Sequence, residues 1–329
     1  MIRVAINGFG RIGRSLTRAL QQHSYIKLVA INDLAESNTL AHLLKYDSIH
    51  GQFDGEISAD ENSITINGKS IKVLGERDPK NLPWSELNID IVIESTGLFL
   101  TKELASQHLI AGAKKVILSA PPKSEEIKTV VLGINDNNID GTEEIISNAS
   151  CTTNAAAPLI KVLHDLYHIE SAYITTVHSY TSDQPLHDAP HKDLRRARAG
   201  AQSIIPTTTG AAKAITKIFP DLDGNIGGCG IRVPVPNGSL IDISVVLKED
   251  TTVEAINKAF KEASETYLNG ILEYTEDPIV SIDIIGNPHS CIFDAELTSI
   301  TGHMVKLVGW YDNEMGYSNR LADLILKVG

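Results

Sequence analysis

The sequence predicts an α/β protein: a doubly wound parallel sheet in its first half, then an α+β half with a mainly antiparallel sheet. Two features predict this. Up to about residue 150, short near-continuously apolar runs rich in Val and Ile alternate with stretches whose apolar residues fall at helical spacing, the order of a parallel sheet buried on both faces. Beyond Cys151 the β-rich runs lengthen and alternate apolar with polar, as in a sheet covered on one face. At 329 residues the chain also exceeds the size at which one hydrophobic core usually keeps growing, so two domains are expected.

Taken in order, "RVAIN", "KLVAIN", "IDIVIES", "KKVILS" and "TVVLG" read as buried strands. Between them "RIGRSLTRALQQ", "NTLAHLLKYD" and "TKELASQHLIAGA" read as helices, the last stopping at Gly112, a residue type favoured just past helix ends. A helix, "TTNAAAPLIKVLHDLY", follows Cys151, with Pro158 early in it, where a missing N–H matters less. "SAYITTVHSYT", "GIRVPVPNGSLIDISVVLKE" and "HMVKLVGWYDN" read as the later strands, and "NEMGYSNRLADLILKVG" as a closing helix. The expected domains are 1–150, with helix 313–329 packing back on it, and 151–312.

A net charge of −12 argues against nucleic-acid or anionic-membrane surfaces, since neither is attracted to the protein as a whole. No run approaches the ~18 to 20 apolar residues of a membrane span, and "MIRVAINGFG" lacks the apolar stretch of a signal peptide, so a cytoplasmic location is expected. Three cysteines without C-x-x-C spacing suit neither a disulfide framework nor a structural zinc site. Cys229 and Cys291 lie in strand-like text and are expected to be inert core thiols. His187 and His191 are four apart in "HDAPH", but the proline between them spoils the helix a metal pair needs, and no metal is expected.

Directly after the first strand stands Gly8-Phe9-Gly10-Arg11-Ile12-Gly13, opening a helix, with Asp33 about twenty residues on at the end of the second strand. This is the dinucleotide fingerprint of a Rossmann-type sheet. Gly8 makes the tight turn, Gly10 lets the backbone approach a pyrophosphate, and Gly13 permits close packing of helix on strand, while the helix N-terminus offers free N–H groups. Asp33 suits the adenine ribose hydroxyls and repels a 2′-phosphate, which favours NAD over NADP.

Cys151 stands among small hydroxyl and amide residues in "SNASCTTNAAAP", at a helix start, where the dipole and free N–H groups favour thiolate. A histidine is the usual partner for such a thiol. Most of the eleven histidines have bland settings; His23 and His108 on their helices, and His164 and His168 at a helix end, read as surface or capping residues. His178 ends the β-branched run "AYITTV" beside the polar loop "SYTSDQ", where a catalytic group can be held rigidly yet accessibly; a satisfied core histidine is the alternative. "ASCTT" and "PTTTGAA" offer hydroxyls and N–H groups to a phosphate-sized anion, the latter where Thr209 and Gly210 open a helix. Local cations are Arg195, Arg196 and Arg198, two of them expected in solvent, and Arg232, which is costly in its apolar strand unless paired or ligand-facing.

With "INGFGRIGR", "SNASCTTN", "HSYT", "DLRRARA", "PTTTGAAKA", "RVPVPN" and "WYDNEMGYSNR" in this order, the chain resembles the phosphorylating glyceraldehyde-3-phosphate dehydrogenases over essentially its whole length. The resemblance implies a Cys151 nucleophile and a His178 acid/base partner. It implies that Thr181, Asp183, Arg196 and Arg232 hold the substrate phosphate of glyceraldehyde 3-phosphate, and that Ser150, Thr152, Thr209 and Gly210 hold the attacking inorganic phosphate. For NAD it implies Gly8, Arg11, Ile12, Asp33, Arg77, Thr96, Ser119 and Asn313, with Tyr317 nearby. It further implies a homotetramer, in which the loop from Tyr180 to Ser203 meets a neighbouring subunit's cofactor. Many such proteins carry a second cysteine where this chain has Ala155; Leu34 and Pro190 resemble the NAD pattern, while Ala189 is a less usual residue there. Erythrose-4-phosphate dehydrogenase, and an NAD-binding redox sensor without turnover, are the rival readings.

Overall fold

The apolar runs of the first half assemble into one nine-stranded sheet, seen in a computed structural model that describes residues 1–329. Its strands are β1 (Ile2–Asn7), β2 (Ile26–Asn32), β5 (Ile57–Asp60), β6 (Ser63–Ile66), β7 (Lys69–Leu74), β8 (Ile91–Glu94), β9 (Lys115–Leu118), β10 (Lys128–Thr129) and β11 (Ile145–Ser147), with a separate hairpin of β3 (Tyr46–Asp47) and β4 (Gly51–Gln52). The spatial order is β10-β11-β9-β8-β1-β2-β7-β6-β5, parallel from β10 to β7. Strand succession diverges on either side of β1, so the loops after β1, β2 and β8 open the crevice in which doubly wound sheets bind ligands. Val4, Ile6, Ile31, Val92, Ile93, Val116 and Ile117 are buried, as continuous apolar runs in a sheet covered on both faces require.

Helices α1 (Arg11–Leu20), α2 (Ser37–Lys45) and α3 (Lys102–Ile110) provide the crossovers. Thr101 caps α3 by accepting the Leu104 N–H at 3.3 Å, and Gly112 just beyond has φ +103°, a left-handed conformation that favours glycine. Two features differ from the sequence reading. "TVVLG" contributes only β10, because the Asn135 side chain takes the Val131 N–H at 2.8 Å and the chain turns away. The antiparallel edge β5–β7 escaped it because its strands are short and polar; its visible mark is the Asn67-Gly68 pair at positive φ, a hairpin signal.

The second sheet contains β12 (Ile169–Ser179), β13 (Ile205–Thr207), β14 (Ile226–Val233), β15 (Ser239–Leu247), β16 (Leu272–Thr275), β17 (Cys291–Asp294), β18 (Ser299–Thr301) and β19 (Met304–Tyr311). Its order is β13-β14-β12-β15-β19-β17-β16, with β18 on β19. β12 runs parallel to β14 and β16 to β17, and the other pairs are antiparallel. Residues of β15 alternate between buried and half-buried, the period-two pattern expected of a one-sided sheet. Helix α4 (Cys151–Tyr167) lays Ala155, Leu159, Ile160 and Leu163 into the core, and α5 (Ala211–Ile218) and α6 (Val253–Glu265) accompany it. At Gly309 in β19 a Cβ would fall 2.5 Å from the Cys291 sulfur and 3.1 Å from Leu159 of α4, so only hydrogen fits there. Cys291 is fully buried, whereas Cys229 is half-buried, its sulfur 3.8 Å from the Thr175 hydroxyl, because β14 faces it away from the core.

By contacts the chain divides into two units: Met1–Val130, Asp136–Ser150 and Ser318–Gly329 in the first, Val131–Asn135 and Cys151–Tyr317 in the second. The closing helix α7 (Met315–Val328) thus ends in the first unit, where Lys327 pairs with Asp136 at 2.9 Å.

Candidate active site

In the first unit, Gly8, Gly10, Asp33, Arg77 and Thr96 line one cleft of about 400 Å³, together with Asn7, Asn32, Leu34, Glu76, Ser95, Leu98 and Phe99. Two of the fingerprint glycines stand where a side chain would clash. Gly8 turns at φ +93° with Thr96 packed over it, and a Cβ on Gly13 would meet the Gly8 carbonyl oxygen at 2.5 Å. Gly10 opens α1 with no side-chain cap, and a Cβ there would touch nothing within 4 Å. Asp33 accepts the Phe9 N–H at 2.8 Å and the Ala35 N–H at 3.0 Å, which fixes its carboxylate at the rim. This cleft fits a dinucleotide. Arg11 turns its guanidinium to Asp47 at 2.6 Å; against burial, which raises it, that bond and the His50 and Ile49 amides hold Asp47 down to about 2. Ile12 and Gly13 lie in α1 behind the cleft, and Ser119 follows β9 with its N–H on the Glu94 carbonyl at 3.0 Å. His108 corrects the sequence reading: it is fully buried and bonded to Glu94 and Trp84, because α3 turns it inward.

In the second unit Cys151 is the first residue of α4, and its sulfur lies 3.5 Å from His178 Nε2 near the end of β12. The backbone just before the thiol is strained: buried Ala149 holds φ +56°, a conformation costing roughly 1–3 kcal/mol in a residue with a Cβ. His178 Nδ1 lies 2.7 Å from the Ser179 carbonyl oxygen, which only accepts, and 2.5 Å from Arg232 Nη1, which only donates, so these two neighbours favour opposite tautomers, while Nε2 faces the sulfur. The same carbonyl accepts from Arg232 Nη1 at 2.8 Å, bringing that cation within 2.5 Å of Nδ1. Burial, then repulsion from Arg232, pushes His178 down to about 3.

Cys151 departs from expectation. Its residue surface is partly open, yet burial pushes the thiol above its ordinary value, opposed by the Arg232 charge and by hydrogen bonding at Thr152. Desolvation here opposes the helix N-terminus, which favours thiolate. Tyr311, absent from the sequence reading, underlies the pair: its hydroxyl lies 3.1 Å from that of Thr152 and 2.8 Å from that of Thr176, and its ring meets His178 edge-on at 5.9 Å. It lies in the stretch "WYDNEMGYSNR", where nothing local singles out its hydroxyl.

Arg196, Asp183 and Arg232 are the charged groups of the expected phosphate site. Arg196 is held by Asp183 at 2.9 Å and by the Thr207 hydroxyl at 2.8 Å; Thr207 was not foreseen. Arg195 is exposed, and Arg198 is exposed while pairing with Asp188 at 2.8 Å, matching the expectation that two of the three lie in solvent. Thr181 starts the turn whose carbonyl accepts the Gln184 N–H at 2.9 Å. Gly210 is the N-cap of α5, and Thr209 accepts the Ala211 N–H at 3.2 Å. Asn313 is buried with its Oδ1 accepting from the Ser179 hydroxyl at 2.9 Å and the Ser239 hydroxyl at 2.8 Å; Tyr317 is buried in α7. Ser150 immediately precedes α4.

Two family models match: the NAD binding domain of glyceraldehyde 3-phosphate dehydrogenase over residues 2–102 and its C-terminal domain over residues 150–313. The chain belongs to the glyceraldehyde-3-phosphate dehydrogenase family. It is similar to glyceraldehyde-3-phosphate dehydrogenase 2 of Streptomyces avermitilis, 54% identical over 331 residues, covering 100% of this chain and 98% of the relative. The glyceraldehyde-3-phosphate dehydrogenase of Geobacillus stearothermophilus is 55% identical over 325 residues, covering 98% and 97%. That of Streptomyces coelicolor is 55% identical over 332 residues, covering 100% and 98%. As a member of the glyceraldehyde-3-phosphate dehydrogenase family the chain is an NAD-dependent oxidoreductase.

Asp33 then carries a measurable expectation. Its fixed carboxylate opposes a 2′-phosphate, a like-charge juxtaposition that costs several kcal/mol. Asp33→Ser is expected to raise the ratio of kcat/KM for NADP over NAD by about tenfold or more. An unchanged ratio removes Asp33 from cofactor choice.

Proposed function

We propose that the chain oxidises D-glyceraldehyde 3-phosphate to 1,3-bisphosphoglycerate with NAD and inorganic phosphate, through adducts on Cys151. The observation that carries this reading is the Cys151–His178 pair, with the sulfur 3.5 Å from Nε2. His178 takes the thiol proton as the sulfur attacks the aldehyde carbon, then donates to the developing oxyanion of the thiohemiacetal and accepts its hydroxyl proton. NAD, when bound, supplies the acceptor for the hydride that the hemiacetal carbon gives up, leaving a thioester. Attack of inorganic phosphate on that thioester breaks the C–S bond, releases the acyl phosphate and returns the thiolate. Gly8, Gly10, Asp33, Arg77 and Thr96 are the residues proposed to hold NAD in the first unit, with Arg11, Ile12, Gly13 and Ser119 around them.

Arg232, Arg196, Asp183 and Thr181 are assigned to the substrate phosphate, and Ser150, Thr152, Thr209 and Gly210 to inorganic phosphate. Substrate phosphate gives Arg232 a partner other than the histidine it now crowds. A C3 phosphate drawing that cation away raises the proton affinity of His178 when the base is needed. The exposed Leu186, Leu194 and Ile204, in and just after the Tyr180–Ser203 loop, support a homotetramer built around that loop. No helix is long and apolar enough to cross a membrane, and a cytoplasmic site of action is the reading adopted.

The deciding experiment follows NADH formation from glyceraldehyde 3-phosphate with and without inorganic phosphate, beside erythrose 4-phosphate and plain glyceraldehyde. Fast, phosphate-dependent turnover of the three-carbon phosphate is expected, and preference for erythrose 4-phosphate or absence of turnover overturns the proposal. In the same assay Arg232→Gln is expected to raise KM for glyceraldehyde 3-phosphate by about tenfold or more, with far less effect on plain glyceraldehyde.

A further inference from the structure

We infer that Glu94, wholly inside the first unit, is a positioning residue for the NAD cleft, acting through hydrogen bonds whose direction Trp84 and His108 fix. Glu94 ends β8 with no exposed surface. Its Oε1 accepts from the Thr96 N–H at 2.8 Å and from the Thr96 hydroxyl. Its Oε2 accepts from Asn7 Nδ2 at 2.6 Å and from His108 Nε2 at 3.1 Å. The histidine cannot reverse that bond. Trp84 Nε1, which can only donate, gives its proton to His108 Nδ1 at 3.1 Å, so Nδ1 is bare and Nε2 carries the hydrogen.

The chain continues to the far lip of the cleft. Asn32 Nδ2 donates to Asn7 Oδ1 at 2.7 Å and to the Glu76 carbonyl at 2.8 Å, while Asn32 Oδ1 accepts the Glu76 N–H at 2.8 Å. On both sides the donors lead inward to the carboxylate. Thr96 on one lip and Glu76, beside Arg77, on the other line the cleft, and so do Asn7 and Asn32 between them. One buried anion therefore sets both walls at once.

Because every neighbour donates, an amide cannot replace the carboxylate. In Glu94→Gln the new NH2 group must face either His108 and Asn7 or Thr96, whose hydroxyl can turn to accept but whose N–H cannot, and meeting that N–H releases Thr96. Trp84→Phe frees His108 to move its proton to Nδ1 and to accept at Nε2, so the two substitutions should compensate.

The test is a double-mutant cycle read by calorimetric NAD binding and by KM. Glu94→Gln is expected to weaken NAD binding about tenfold while KM for glyceraldehyde 3-phosphate at saturating NAD stays within about twofold; Trp84→Phe weakens it about threefold, and the double variant binds NAD more tightly than Glu94→Gln alone. Additive losses, or a folded Glu94→Gln protein that binds NAD as its parent does, overturn the proposal. The inference rests on this cleft being the NAD site: parent protein that fails to bind NAD overturns both, whereas the variants address Glu94 alone. Should Glu94→Gln not fold, ¹⁵N spectra of histidine-labelled parent protein decide the direction. A His108 proton on Nε2 with Nδ1 bare is expected, and a proton on Nδ1 overturns it.

Discussion

Cys151→Ser is expected to abolish NADH formation, lowering kcat by at least about 10³-fold, while NAD binding persists within about twofold. The size of the effect follows from the setting of the sulfur. His178 Nε2 stands 3.5 Å away, but burial has pushed the imidazole down to about 3, which makes it a weak base in the ligand-free state. Such a base can take the proton of a thiol that attacks readily. It cannot do so usefully for a serine hydroxyl, whose proton is held several orders of magnitude more tightly and whose oxygen is the poorer nucleophile. Stopped-flow NADH formation measures the loss, and calorimetry measures the retained NAD affinity. Substantial turnover in the variant would remove Cys151 as nucleophile.

His178→Asn is expected to lower kcat by about 10²- to 10⁴-fold, the usual worth of a positioned acid/base group. Its second effect concerns stability. Folded His178 is held at about 3 against 6.5 in the unfolded chain, so below pH 6.5 the unfolded state binds a proton that the folded state refuses. The stability tied to this group is full above pH 6.5 and is lost as pH falls toward 3. At about 1.4 kcal/mol per unit, the parent loses roughly 2 kcal/mol from this residue between pH 6.5 and 4.5. Denaturant titrations across that window are expected to show a flatter dependence for His178→Asn, and identical slopes would mean that the imidazole is not buried as described.

Local signals made most of the architecture and the cofactor cleft legible. Gly8, Gly10, Gly13 and Asp33 are specified by backbone geometry within a single βαβ unit, so their spacing survives as a motif. His178 could be singled out by its place at a strand end, but its crowding by Arg232 could not, because that cation comes from β14. Cys151 shows the limit of local reasoning in the other direction. Its helix N-terminus is visible in the text, whereas the enclosure that raises its thiol is tertiary. His108 was misplaced for the same reason: nothing within α3 says that Trp84 and Glu94 wait on the inner side. The edge strands β5–β7 were missed because short polar strands carry weak periodicity.

The hydrogen-only gap at Gly309 bears on how this catalyst could be retuned. Leu159 of α4 rests over that position, and Cys151 is the first residue of the same helix. A methyl group there would press first on the Cys291 sulfur and then on the tips of Leu159 and Ile241. Part of the seat of the helix that begins at the nucleophile is therefore set at the floor of the core, out of reach of any substrate. Attempts to reshape the pocket from its rim inherit that setting, and changing it requires repacking Cys291, Leu159 and Ile241 together.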